Sequence, residues 1–172
     1  MLTDKLQTVR VRLPASLMYS TSGTIDSEIL RRLQNRFGDR CSSSGFVFRS
    51  SIVLTSRGEG VMDTVKLDGG MLFDCNFTAR VLTLEEGESL KCRVVRKNEA
   101  GVMLSAVEKQ YEHTPLVIVM PRLLHHDEGV VKAITDLSVG DEIRTTVLGC
   151  RFQPNETLMN VVVRYESPTS AS

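Results

Sequence analysis

Lys91 and Arg93 stand two residues apart in Leu90-Lys91-Cys92-Arg93-Val94-Val95-Arg96-Lys97, a stretch of apolar residues with interleaved cations. Side chains alternate between the faces of an extended strand, so these two cations share a face and could track a phosphate backbone. Arg96 and Lys97 follow at once, and Arg144, Arg151 and Arg164 recur in later stretches of the same kind. Rings on which bases could stack are scarce: Tyr111, Phe152 and Tyr165 are the only aromatics after Phe77. The chemistry on offer is salt-sensitive contact with a passing nucleic-acid strand, Phe152 included in that surface, and not the reading of its sequence.

Other reactive residue types lead nowhere comparable. Four neighbours, His125-His126-Asp127-Glu128, suggest a metal cluster, but adjacent residues on a loop diverge and rarely chelate one ion, so a solvated loop is expected. Ser42-Ser43-Ser44 has no His or acid that the sequence places beside it and reads as a turn. Within Thr55-Ser56-Arg57-Gly58-Glu59-Gly60-Val61-Met62, two glycines permit positive φ and close backbone approach. No third glycine opens a helix, which argues against a dinucleotide site and leaves a projecting loop that touches a partner, or a turn. No nucleophile elbow, phosphate-cradling Gly-Lys loop or metal-binding helix motif occurs. No residue is assigned a catalytic or metal-binding role, no cofactor is implied, and a non-enzyme is expected.

Composition sets further bounds. Apolar residues make up 41% and charged residues 24% of the 172, ordinary values for a globular chain with room for one large or two small domains. No apolar run approaches the roughly 20 residues of a membrane helix, and no signal peptide is legible, so no membrane partner is expected and an intracellular location is. Cys41, Cys75, Cys92 and Cys150 are far apart, without the paired spacing of a zinc site, and read as reduced core residues. Net charge is zero, with the slight acidic excess in residues 84 to 172. Any basic face on that half must be local.

The elements that would position these cations form a pattern written twice. Leu84-Glu85-Glu86-Gly87-Glu88 opens a strand from Leu90, a turn at Asn98-Glu99-Ala100-Gly101 and a strand from Val102 to Ala106. Leu137-Ser138-Val139-Gly140-Asp141-Glu142 opens another from Ile143 to Phe152, a turn at Gln153-Pro154-Asn155-Glu156 and a strand from Leu158 to Val163. Both read as β-hairpins, and between them Pro115 to Pro121 is a short apolar run like a buried strand. Five short antiparallel strands suit a small barrel such as the OB-fold; a ligand-free five-stranded sandwich is the alternative.

Residues 1 to 6 read as a loose start, followed by alternation from Thr8 to Leu13 that stops at Pro14. Past a polar loop containing Ser20, Thr21, Ser22 and Gly23 comes a helix. Thr24 or Asp26 is its N-cap, Ile25, Ile29, Leu30, Leu33 and Phe37 its apolar stripe, and Gly38 its end. Arg31, Arg32 and Arg36 fall mostly on the other face and read as solvated surface. Gly45 to Leu54 reads as a strand, and Met71 to Leu82, with Phe73, Cys75, Phe77, Ala79 and Val81 on one face, as a long one. The expected architecture is α+β: an N-terminal small α/β domain over residues 1–84 with one helix on an antiparallel sheet, an OB-fold over 85–166, and a flexible tail over 167–172.

In this order the segments resemble the stalk subunit of multisubunit DNA-directed RNA polymerases, the seventh subunit of the eukaryotic polymerase II and its archaeal counterpart. The resemblance runs from about Val9 to Val163. Its most specific segment is Val139-Gly140-Asp141-Glu142-Ile143-Arg144 with Val147-Leu148-Gly149-Cys150-Arg151, similar to the family's Gly-Asp-Glu-Ile-Arg strand and the apolar-Gly-x-Arg after it. Gly45-Phe46-Val47, Gly58-Glu59-Gly60-Val61 and Gly87-Glu88 are similar to the family's Gly-Phe-Val strand, tip loop and interdomain turn. The chain departs where Ser44 replaces an aromatic, where Ile52 to Gly58 is one residue longer, and where Val102-Met103-Leu104 lacks an aromatic. Such divergence would suit a large DNA virus.

What the resemblance implies is a non-catalytic component of a nucleotidyltransferase complex. Gly58, Glu59, Gly60 and Val61 would dock on the polymerase core near the clamp, and Lys91, Arg93, Arg144 and Arg151 would lie toward nascent RNA. A helical stalk partner would pack alongside. The location would be the nucleus, or a cytoplasmic factory or virion for a viral enzyme. The rival expectation is a free-standing OB-fold RNA-binding protein of translation or RNA decay.

Overall fold

A computed structural model describes residues 1–18, 24–66, 68–108, 111 and 115–166. The polar loop at Ser20–Gly23 and the tail from Ser167 lie outside the described residues. The chain divides into two compact units, one from Leu2 to Thr83 and one from Leu84 onward. No helix among the described residues is long and apolar enough to cross a membrane.

The first unit starts with β1 (Leu2–Leu13), then a one-turn helix α1 (Ala15–Met18) and the main helix α2 (Ile25–Phe37). Thr24 caps α2, its hydroxyl accepting from the Ser27 N–H at 3.2 Å, with Asp26 and Glu28 on the positive end of the helix dipole. Ile29 and Leu33 are fully buried against the sheet, each contributing about 1.5–3 kcal/mol by area, and the Phe37 ring stacks on Phe77 at 5.3 Å. Short strands β2 (Arg40–Ser42), β3 (Gly45–Val47), β4 (Val53–Arg57) and β5 (Val61–Met62) follow, and β6 (Met71–Leu82) closes the unit. Gly45 takes φ +124° at the β2–β3 turn, where a Cβ would stand 2.2 Å from the Leu82 carbonyl.

β6 is the spine. It pairs with β1 along one edge, Leu2 opposite Leu82 and Leu13 opposite Met71, and with β3, β4 and β5 along the other. Its buried face is Phe73, Cys75, Phe77, Ala79 and Val81. Two expectations need correction. The loose start is strand from Leu2: its outer face is solvent-facing, with Leu6 exposed, so it lacks an apolar signature, and β6 supplies the pairing partner. The single strand expected over 45–54 is split by a 3-10 turn at Arg49–Ser51. There the Ser51 hydroxyl donates to the Phe48 carbonyl at 2.7 Å and accepts from the Arg80 N–H at 2.8 Å.

The second unit is a closed five-stranded barrel. Its strands are β7 (Ser89–Lys97), β8 (Gly101–Ala106), β9 (Leu116–Pro121), β10 (Glu142–Arg151) and β11 (Met159–Tyr165), closed in the order β10-β11-β9-β8-β7. This is the OB-fold-like barrel, and closure removes every strand edge. Leu90, Val94, Leu104, Ile118, Met120, Val147, Met159 and Val163 fill the interior. Buried Thr145 donates its hydroxyl to the Leu90 carbonyl at 3.2 Å.

The barrel is not wholly antiparallel: β9 and β11 pair in parallel, Met159 opposite Leu116. The crossover that permits this contains α3 (Glu128–Asp136). Of the solvated loop expected around His125-His126-Asp127-Glu128, the first three residues are loop, with His125 buried, and Glu128 opens the helix. Asp127 is its N-cap, accepting from the N–H groups of Gly129 (2.8 Å) and Val130 (3.3 Å), and Ile134 is its buried anchor.

Candidate functional site

On the outer wall of the barrel the β7–β10 register sets Lys91 opposite Arg144 and Arg93 opposite Glu142. Thr146 faces Arg164 across the β10–β11 pair, so Arg164 stands diagonally from Arg144 on the same wall. The result is a strip of four cations, Lys91, Arg93, Arg144 and Arg164, with one acid among them. Glu142 receives Lys91 Nζ and Arg93 Nη2, both at 2.7 Å, and these two hydrogen-bonded cations hold its carboxyl down at about 2. Two of the predicted phosphate contacts are thus bound to a carboxylate at rest. Arg144 and Arg164 have no ion-pair partner among the described residues.

The remaining predicted cations are not brought into this strip. A bulge on β7 shifts the register between Val94 and Arg96, leaving Val95 unpaired. One extra residue inverts the faces beyond it. Arg96 turns outward opposite Met103, while Lys97, opposite Val102, reaches the end of α3. There its ammonium donates to the carbonyls of Thr135 and Leu137, the latter at 3.2 Å, and caps the helix. Arg151 ends β10 opposite Asn160, roughly 30 Å along the strand from Glu142, with Phe152 half-buried in the loop after it.

Arg96 instead borders a groove of about 360 Å³ on the outer β8–β9 face, with Asn98, Met103, Val119 and Pro121. The row Arg96–Met103–Val119 is continuous across three strands. In OB-folds the face of the second and third strands is the oligonucleotide-binding one. Here it is mostly apolar, which the sequence reading missed because it followed cations alone; the outward positions Met103 and Val119 were the available signal.

Behind this wall His125 fastens the corner between β9 and α3. Its Nε2 accepts from the Tyr165 N–H at 3.0 Å, so the proton sits on Nδ1, which donates to the Pro121 carbonyl at 3.1 Å. Both ring nitrogens are engaged within the fold. Among the cysteines, Cys41, Cys75 and Cys92 are buried and Cys150 is half-buried, none of them in a disulfide. Burial pushes the thiols of Cys75, Cys92 and Cys150 up, away from the reactive thiolate.

In the first unit Gly58-Glu59-Gly60-Val61 is the turn from β4 into β5. Neither glycine has positive φ. Gly60 is small for an internal reason, since a Cβ there would stand 2.7 Å from the Phe73 ring, whereas Gly58 has ordinary room. The expectation that positive φ explains the pair is corrected on this point. Val61, expected at the tip, is 65% exposed, and Met62 and Val65, which the sequence did not single out, are 66% and 89% exposed. The loop that follows is tied down by Arg12, which bridges Asp63 and Asp68 and holds both carboxyls below their ordinary range.

No family model matches the chain, and no curated protein matches it. Among solved structures, an uncharacterized protein from Methanocaldococcus jannaschii, MJ1198, is 17% identical over 51% of this chain and 99% of its own, with a TM-score of 0.35. GSP13 from Bacillus subtilis is 20% identical over 52% of this chain and 62% of its own, with a TM-score of 0.38. At these values neither likeness bears on what the chain does.

Proposed function

We propose that the chain is a non-catalytic stalk subunit of a DNA-directed RNA polymerase, docking on the core near the clamp through the first unit and facing the RNA exit path with the barrel. The observation that carries this reading is the exposed apolar trio Val61, Met62 and Val65 beside the Gly58-Glu59-Gly60 turn, on a sheet-and-helix unit followed directly by an OB-fold-like barrel. Val61 and Met62 on β5 and Val65 in the bend after it, all exposed, suit a segment covered by a partner. In this reading Gly58, Glu59, Gly60 and Val61 meet the core, a helical partner packs alongside, and Arg144 and Arg164 give the barrel weak contact with nascent RNA. The acid among the cations keeps that contact weak, as a subunit that must let a transcript pass requires.

The free-standing RNA-binding protein is the second reading, favoured by the groove at Arg96, Met103 and Val119 on the usual OB binding face. The double substitution Val61→Asp, Val65→Asp separates the two. The stalk reading expects it to abolish retention on polymerase core while leaving RNA affinity unchanged; retention equal to wild type contradicts the tip assignment.

A further inference from the structure

The first unit holds a second surface that neither the tip nor the barrel accounts for. β1 pairs with β6 along its whole length, and among the described residues no strand pairs its other edge. In an antiparallel ladder every second residue turns its N–H and C=O away from the neighbour, so alternate residues of the twelve in β1 present backbone groups that no described strand pairs. The strand is uninterrupted by proline before Pro14 and its register with β6 shows no shift, so the edge is long and regular.

A cleft of about 600 Å³ runs between this edge and the flank of α2. Its walls carry Arg10 and Arg12 from β1 and Arg31, Arg32 and Arg36 from α2, with no carboxylate among the lining residues. Val11 and Leu13 point into the core with Ile29 and Leu33, so alternation puts Arg10 and Arg12 on the sheet face away from the helix. A strand laid against the edge would find guanidiniums on both of its faces. The helix arginines read as plain solvated surface from sequence because nothing local reveals that they border a strand edge.

From these two features together we propose that the β1 edge is a docking site for an extended acidic polypeptide segment, which adds as a further strand while its carboxylates meet the arginines on either side. Strand addition takes affinity from the backbone ladder and specificity from alternate side chains. A nucleic acid fits less well. Arg10 is paired with Asp74, Arg12 with Asp63 and Asp68, and Arg31 and Arg32 with Glu28, so the net field that a long polyanion would follow is small. Short-range hydrogen bonds to a peptide carboxylate or carbonyl depend less on that field, since a guanidinium has five N–H donors and these pairs leave some of them unused. Arg36, in no ion pair among the described residues and with its guanidinium over the Phe37 ring at 5.0 Å, is the first donor for an incoming carboxylate. The proposal is independent of the polymerase reading.

The test uses the full chain, isotope-labelled, and an acetylated, amidated peptide of about eight residues alternating glutamate and valine. Expected are shifts of the Arg10, Val11 and Arg12 amide signals and of α2 on titration, binding about tenfold weaker in the Arg31→Glu, Arg36→Glu variant, and loss of binding when alternate peptide amides are N-methylated. The N-methylated peptide leaves the protein unaltered, so the ladder is tested even if the variant misfolds. Three results overturn the proposal: no shift at Arg10–Arg12 at millimolar peptide, undiminished binding of the N-methylated peptide, or tighter binding at these residues by an oligouridylate of the same length.

Discussion

The barrel of the second unit and the sheet of the first both set arginines in rows on extended strands, yet they leave them in different company. On the barrel every strand has two neighbours, so Arg93, Arg144 and Arg164 offer side chains alone, and Glu142 already occupies part of what they offer. On the sheet Arg10 and Arg12 stand beside an open backbone edge, so side chain and main chain can act on the same partner. In the two proposals above, the same residue type at the same two-residue spacing serves different ends. A closed wall suits a ligand that must slide past; an open edge suits one that stays.

The largest expected effect comes from emptying the core of the sheet. Phe77→Ala removes a fully buried ring that stacks on Phe37 and is expected to cost about 3–5 kcal/mol. Amide hydrogen exchange should accelerate across Leu2–Leu13 and Met71–Leu82 while β7 to β11 keep their protection. On the barrel side, His125→Leu leaves the Tyr165 N–H and the Pro121 carbonyl without their partner, an expected cost of about 1–3 kcal/mol read as a lowered Tm.

A smaller effect sharpens the contrast. Glu142→Gln releases Lys91 and Arg93, and is expected to tighten binding of single-stranded RNA by roughly two- to fivefold and to steepen its salt dependence. The same pairing has a pH signature. Because the folded carboxyl sits near 2, below its ordinary 4.5, the stability it contributes is fully present above 4.5 and is lost as pH falls toward 2. An NMR titration of Glu142 should return a midpoint near 2 in the wild type, rising toward 4.5 in the Lys91→Ala, Arg93→Ala variant. An unchanged midpoint would mean that these cations do not set it.

What could be read from the sequence is what local pattern determines. Thr24, the stripe from Ile25 to Phe37 and Gly38 bound α2, and the odd-numbered apolar residues of Met71–Leu82 mark β6, because cap chemistry and side-chain period are written in neighbouring residues. Helix α3 was missed because Gly129 interrupts a short stripe of Val130, Val131 and Ile134, although Asp127 was a legible cap. The bulge at Val95, which separates Arg96 from Lys97, depends on pairing with β8 and has no local mark. Glu142 lies 49 residues from Arg93, so its hold on the cations appears only once β10 lies beside β7. The open edge of β1 is likewise a property of what does not come to pair with it.

The most direct test of the proposed function is purification of the tagged chain from the cells that naturally make it, washed at high salt, with mass spectrometry of what is retained. The stalk reading predicts two very large polymerase subunits in stoichiometric amount. Recovery of the chain alone, or with ribosomal or RNA-decay proteins, would contradict it.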